Sequence, residues 1–188
     1  MTEWYSKLTS YFPPREMKSK EHMQVLFSEK EDTYKRDEGP EFIVVYFEND
    51  HSIFVDYILI SGNNRGSGIG SALINRLKRK NKPIILEVEP ITDKDPDSKK
   101  RVKFYERNGF QKADSISYVR EHMVTGEYNE MDIYYWSPTR ITEEEIYEKM
   151  RHIYEEVHAY KAESIYGKRS QTADEVLDFR KKRMSRAK

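Results

Sequence analysis

Two long apolar runs separated by a short polar link constrain the fold of this chain more than any other feature. The runs are EFIVVYFE (41–48) and IFVDYILI (53–60), and the link is NDHS. Runs rich in Ile, Val, Phe and Tyr predict β-strands, and so short a link predicts an antiparallel hairpin. The strands show almost no polar alternation. Both of their faces are therefore expected to be covered, as in the middle of a sheet with helices packed on it.

The segments that follow the hairpin predict a strand–helix–strand unit. After a glycine-rich loop, Ile69, Leu73 and Leu77 recur at helical spacing, and IILEVE (84–89) reads as a further buried strand. Strands joined through a helix are expected to pair in parallel with a right-handed crossover. The hairpin and this unit together predict an α/β or α+β fold with a mixed, mostly antiparallel sheet and helices on both faces.

Several shorter signals complete the domain. Helical spacing predicts helices over 3–12 and 19–29, on either side of the Pro13-Pro14 pair, and the polar stretch after them allows a short edge strand. Asp95-Pro96 predicts the start of a helix that Gly109 ends. Further strands are expected near 115–120 and 131–136.

The last part of the chain changes character, which predicts a domain over 1–137 and a helical extension over 138–188. Thr142 and Glu145 form a capping box ahead of a helix with an apolar stripe, whose members are Ile146, Met150, Ile153, Val157 and Tyr160. A second box, Thr172 with Glu175, predicts a shorter helix that continues through Leu177 to Phe179. We expect the stripe to pack on the domain, with a homodimer contact as the alternative.

Composition excludes several classes of function. The chain of 188 residues has 33 basic and 33 acidic residues, so its formal net charge gives no reason to expect nucleic acid or an anionic membrane as a partner. It has no cysteine, which excludes a disulfide framework and a thiol nucleophile. His152 and His158 do not share a helix face, so no metal site is expected. The sequence has no signal segment or long apolar span, which predicts a cytoplasmic protein.

The loop NNRGSGIGSAL (63–73) lies between a strand and a helix, where backbone amides and the helix dipole favour an anion such as pyrophosphate. A P-loop is excluded because Ser71-Ala72 stands where that motif needs Lys followed by Ser or Thr. A dinucleotide loop fits in part through Gly66-x-Gly68, with Glu87 as the ribose contact. Two features disfavour a dinucleotide loop. Ser71 replaces its third glycine, and the strand–helix–strand unit follows an antiparallel hairpin instead of opening the fold.

Counted from Arg65, the loop reads Arg-x-x-Gly-x-Gly, with Gly68 and Gly70 as the two glycines. In this register it resembles the coenzyme A pyrophosphate loop of the GNAT acyltransferase superfamily. A second element supports the resemblance at the expected distance, because FYERNGF (104–110) is similar to the helix-to-strand segment that follows the family's fifth strand. The two motifs and the hairpin occur in family order over about residues 40–136.

The resemblance implies a site for acetyl-CoA. The family's fourth and fifth strands, here 53–60 and 84–89, would splay apart, and the pantetheine arm would pair with the backbone near Ile58, Leu59 and Ile60. The pyrophosphate would lie on amides of the loop, from the residues Arg65, Gly66, Ser67, Gly68, Ile69, Gly70 and Ser71. Glycine at 68 and 70 would keep bulky side chains away from the phosphates. Arg101 stands at a usually small position, where it would reach a phosphate or point to solvent.

The resemblance also implies the chemistry. A neutral amine would attack the acetyl thioester directly, with a backbone amide near Ile60 polarising the carbonyl and Tyr105 protonating the departing thiolate. An ammonium would first lose a proton to a carboxylate or a water chain, and the candidates are Asp56, Glu87 and Glu89. Asp56 is a lone charge in an apolar strand, expected on the same face as Ile58 and Ile60. Glu87 and Glu89 share a face of their own strand.

The sequence thus predicts an acetyl-CoA-dependent N-acetyltransferase acting on a small-molecule or peptide amine, with no metal. Two alternatives remain open at this point. One is an acyl-CoA-binding regulatory module without turnover, and the other is a dinucleotide-binding protein.

Overall fold

The hairpin predicted from residues 41–60 lies inside a six-stranded sheet in the computed structural model, which describes residues 3–61, 66–93 and 95–180. The strands are β1 (Tyr34–Gly39), β2 (Phe42–Glu48), β3 (Ile53–Ile60), β4 (Ile84–Val88), β5 (Gln111–Lys112), β6 (Ile116–Glu121), β7 (Tyr128–Glu130), β8 (Asp132–Trp136) and β9 (Leu177–Phe179). The main sheet has the order β1-β2-β3-β4-β8-β5. Among its described strands, β3 and β4 run parallel and the other neighbouring pairs are antiparallel. The predicted mixed, mostly antiparallel sheet is confirmed.

The helices begin and end near the predicted signals. They are α1 (Glu3–Thr9), α2 (Lys20–Glu29), α3 (Ile69–Lys78), α4 (Pro96–Arg107), α5 (Glu143–Ile153), α6 (Ala162–Tyr166) and α7 (Ala173–Val176), with a 3₁₀ turn over Pro14–Glu16. The Asp95 side chain caps α4 by accepting from the amide of Asp97 at 2.9 Å, and Gly109 follows the helix with a φ of 76°. Thr142 and Glu145 form the predicted capping box of α5.

Two apolar cores confirm that helices cover both faces of the sheet. On one face α1, α2 and α5 pack through Trp4, Met23, Leu26, Ile146 and Ile153. On the other face α3 and α4 contribute Ile74, Leu77, Val102 and Tyr105. Side chains of β3 alternate between the two cores, since Phe54 joins the first and Val55 the second.

The last described segment is part of the first core. Four members of the predicted stripe are buried there, namely Ile146, Met150, Ile153 and Val157. The helix changes to a π-helical turn over Tyr154–His158, a geometry that is often found at functional sites. Because residues of α1, α2 and α5 belong to one buried cluster, the C-terminal segment and the N-terminal helices share one hydrophobic core.

One helix prediction was wrong in its extent. Thr172 and Glu175 do form a capping box, but α7 ends at Val176, and Leu177–Phe179 is strand β9. β9 pairs with β6 through Tyr118 and Leu177, and β6 also pairs with β7 in a separate three-stranded sheet. The open edge of β6 offers backbone hydrogen bonds that the local helical signal does not reveal. In residues 3–61, 66–93 and 95–180, no helix is long and apolar enough to cross a membrane.

Candidate active site

Strands β3 and β4 separate partway along their length. Their pairing joins Ile53–Val55 to Ile84–Leu86, whereas β3 continues to Ile60 and β4 to Val88. Beyond Val55 the two strands border a cavity of about 850 Å³. The predicted splay of these two strands is confirmed.

A β-bulge at Asp56 lies where the strands separate. On β2, Val45 faces Tyr57 and Tyr46 faces Val55, so Asp56 has no partner across this ladder. A bulge of this kind bends its strand and increases the local twist. It also breaks the expected alternation. The Asp56 carboxylate bonds to Tyr34, a residue of the first core, while Ile58 packs on the second. The prediction that Asp56 shares a face with Ile58 and Ile60 was therefore wrong.

Buried hydrogen bonds fix the Asp56 carboxylate. Its two oxygens accept from the Lys18 ammonium at 2.7 and 2.8 Å, and one of them accepts from the Tyr34 hydroxyl at 2.5 Å. The side chains of Lys18 and Asp56 are 7% and 5% exposed. The predicted base candidate thus lies in a buried ion pair beside the cavity, which the carboxylate also lines.

Glycine at two loop positions is explained by backbone conformation. Gly66 and Gly68 both have a φ of 89°, which favours glycine, and a Cβ atom built on either one has no neighbour within 4 Å among the residues that the structure describes. Gly68 also caps α3, whose first amides have no acceptor within the helix. The space beside these amides is open to the cavity, which both glycines line.

Gly70 has a different reason. A Cβ atom there would lie 3.0 Å from the Phe104 ring, so this glycine allows α3 to pack closely on α4. Of the residues predicted to hold the cofactor, six line the cavity, namely Ile58, Ile60, Gly66, Gly68, Gly70 and Ser71. Leu59 packs on the opposite core, and Ser67 and Ile69 do not line the cavity. Arg65 lies outside the described residues.

Tyr105 lies in the cavity wall on α4 and is 6% exposed. Its ring makes edge contacts with Phe104 and Phe110 at centroid distances of 5.3 and 5.8 Å. Burial raises the pKa of its hydroxyl to about 12, although the Arg101 charge opposes the shift. The hydroxyl is therefore protonated at neutral pH and is able to donate a proton.

Glu87 and Glu89 both line the cavity, and both are ion-paired. Glu87 lies 2.8 Å from the His158 ring and 3.7 Å from the Arg120 guanidinium. Burial alone would raise its pKa, but these two neighbours outweigh burial and lower it to about 2. Glu89 pairs with Arg15 at 3.0 Å and Arg101 at 3.4 Å. Arg101 also pairs with Asp95 at 3.3 Å. Its guanidinium, which was expected to reach a phosphate or to point to solvent, is therefore ion-paired with two carboxylates.

One side of the cavity was not predicted from the sequence. Tyr11, Phe12 and Glu16 line it from the segment between α1 and α2, Arg120 lines it from β6, and Met131 lines it from the link between β7 and β8. A lone charge in an apolar strand marked Asp56, whereas Arg120 in ISYVRE is followed directly by Glu121 and gives no such signal. Nothing in YFPPRE indicates that this turn faces a cavity. Within the described ranges no cluster of three or more His, Asp and Glu side chains is suited to hold a metal ion.

Comparisons with known proteins assign the family. The sequence model of the family described as "Acetyltransferase (GNAT) domain" matches residues 25–112. The chain is 50% identical to "Putative acetyltransferase YjbC" of Bacillus subtilis (strain 168) over 176 residues, which is 94% of this chain and 92% of that protein. A solved GNAT-family structure from Bacteroides thetaiotaomicron superposes with a TM-score of 0.64 at 22% identity, covering 88% of this chain and 90% of the other. The chain belongs to the GNAT family of acetyltransferases.

Proposed function

We propose that this protein is an N-acetyltransferase that transfers an acetyl group from acetyl-CoA to a primary amine by direct attack in a ternary complex. The observation that carries the proposal is the cavity between β3 and β4. It extends from the glycine loop at the start of α3, past Tyr105, to the turn between α1 and α2. One cavity therefore offers an anion site, a proton donor and room for a second substrate.

The residues present fit coenzyme A at the α3 end of the cavity. Two left-handed glycines leave open space beside amides at a helix start, where a pyrophosphate is favoured. Along the gap, the edge of β3 from Ile58 to Ile60 is not paired with β4, and its backbone groups suit an amide-rich chain that pairs as an added strand.

The residues of the chain then carry the proton transfers. The amine nitrogen forms a bond to the acetyl carbon while the carbon–sulfur bond breaks, and the Tyr105 hydroxyl protonates the departing thiolate. The proton lost by the ammonium goes to a carboxylate of the cavity. Of the three predicted candidates, Asp56 and Glu87 are committed to buried ion pairs, whereas Glu89 lies at the end of the cavity next to the α1–α2 turn.

The test is acetyl transfer from acetyl-CoA to a panel of peptide, polyamine and small-molecule amines. We expect turnover with at least one amine, and a loss of kcat of about 10²- to 10⁴-fold in Tyr105→Phe. The acetyl-CoA Kd should change by less than about threefold, because the phenol acts on the leaving group only in the reaction. Tyr128→Phe is the matched control, since Tyr128 is 69% exposed and lies outside the cavity.

Two results would contradict the proposal. Acetyl-CoA binding without transfer to any amine would favour a regulatory module. Wild-type turnover in Tyr105→Phe would remove this tyrosine from the mechanism.

A further inference from the structure

Hydrogen bonds hold the 3₁₀ turn Pro14–Glu16 in place at the end of the cavity that lies away from the glycine loop, where the amine acceptor is proposed to bind. The Tyr57 hydroxyl donates to the carbonyl of Glu16 at 3.0 Å and accepts from the amide of Lys18 at 2.9 Å. The side-chain amide of Asn129 donates to the carbonyl of Arg15 at 2.7 Å. These bonds tie the turn to β3 and β7, so the Glu16 side chain, which lines the cavity, starts from a fixed backbone.

Glu16 differs from the other acidic side chains of the cavity in its ion pairing. Asp56, Glu87, Glu89 and Asp97 each have a basic partner within 4 Å. By contrast, no Lys, Arg or His of residues 3–61, 66–93 and 95–180 lies that close to the Glu16 carboxylate. Among the acidic side chains of this cavity, Glu16 is therefore the one without a basic group within 4 Å in the described structure.

The groups that face Glu16 come from three elements. Glu89 follows β4, Arg101 comes from α4 and Arg15 belongs to the same turn. Burial is the main cause that raises the pKa of Glu16 to about 7, repulsion by Glu89 adds to it, and the two arginines oppose it. Both arginines are also ion-paired with Glu89. A carboxyl that is partly ionised at neutral pH has the property that a general base needs.

We propose that Glu16 is the catalytic residue that removes the proton from the acceptor ammonium, and that the ion-paired Glu89 lines the cavity beside it. In this step a nitrogen–hydrogen bond breaks, an oxygen–hydrogen bond forms on Glu16, and the freed nitrogen lone pair attacks the thioester. The proton then leaves to solvent through the cavity mouth. This inference rests on the proposed amine acetylation. It assigns to the reaction a class of acceptor that is cationic in solution, such as an alkylammonium.

The test is the pH dependence of kcat/KM with an alkylamine that the wild type acetylates. At pH near 7, Glu16→Gln should lower kcat/KM by about 10²-fold or more. It should also remove the acidic limb that titrates near neutrality, so that the remaining rate rises with the deprotonation of the free amine. The deficit should therefore shrink at high pH, and Glu16→Asp should retain the limb with a reduced rate.

Two controls separate chemistry from folding. Glu21→Gln, on the exposed face of α2, should match the wild type, and acetyl-CoA should bind Glu16→Gln with an unchanged Kd. Glu16→Gln with a kcat/KM within about threefold of wild type and an unchanged pH profile would overturn the assignment while leaving amine acetylation intact. A wild-type protein that acetylates no amine would instead overturn both proposals.

Discussion

The Asp56→Asn substitution should destabilise the folded protein strongly, because it leaves the Lys18 ammonium buried without its partner. The pair is almost fully buried, and both carboxylate oxygens accept from Lys18 within 2.8 Å. Removing one member of a buried pair typically costs about 3–5 kcal/mol. For a chain of this size that corresponds to a fall in Tm of about 6–20 °C.

The destabilisation should depend on pH in a defined direction. Burial lowers the pKa of Lys18, and Asp56 opposes this shift, so the pKa falls further when the carboxylate is removed. The unfolded chain then binds more protons than the folded one, and the variant should regain stability as pH rises from about 7 to about 10.

Denaturant unfolding monitored by circular dichroism measures both effects. Asp37→Asn is the matched control, because Asp37 pairs with Arg76 at the surface and should cost no more than about 1 kcal/mol. Lys18→Met combined with Asp56→Asn should recover much of the loss. Wild-type stability of Asp56→Asn together with a loss of acetyl transfer would contradict this prediction, since Asp56 would then act in the chemistry instead of in a structural ion pair.

Three further predictions concern Gly68 in the glycine loop, Glu16 in the turn Pro14–Glu16, and Ile153 in helix α5. Gly68→Ala should cost about 1–2 kcal/mol because of its left-handed backbone, whereas Gly68→Asn should cost less; equal losses by denaturation would contradict this. Glu16→Gln should raise Tm more at pH 8 than at pH 5. The pKa of Glu16 is about 7 in the folded protein, compared with the ordinary value of 4.5. As pH rises from 4.5 to 7, ionisation of this carboxyl therefore lowers the free energy of unfolding, by up to about 3 kcal/mol. Differential scanning fluorimetry at both pH values measures the difference, and an equal change in Tm would argue against the raised pKa. Ile153→Ala should cost about 2–5 kcal/mol and keep one unfolding transition, because Ile153 is fully buried in the shared core; two separate transitions would show an independent unit.

Local chemistry made much of the fold predictable from the sequence. The apolar runs of β2 and β3, the Asp95 cap of α4 and the box at Thr142 each depend on residues a few positions apart. Such signals are present in a short stretch of sequence. The loop glycines were predictable in the same way, although the structure gives Gly70 a packing reason that the sequence does not contain.

The features that were missed depend on contacts between distant parts of the chain. At the bulge, Asp56 bonds to Lys18 and Tyr34, which are 38 and 22 residues away. Strand β9 pairs with β6, which is distant from it in the sequence. Glu16 gains its unusual environment from Glu89 and Arg101, which reach it through the fold.

The most direct test of the central claim is a single-turnover experiment with acetyl-CoA that carries a labelled acetyl group. Protein in excess is mixed with the labelled thioester, with and without the preferred amine, and the reaction is quenched and analysed by mass spectrometry. If the cavity between β3 and β4 holds both substrates together, the label should pass into the N-acetyl product only when the amine is present, and the protein should stay unlabelled. Label bound covalently to the protein without amine, or label that remains in acetyl-CoA with every amine, would contradict the account.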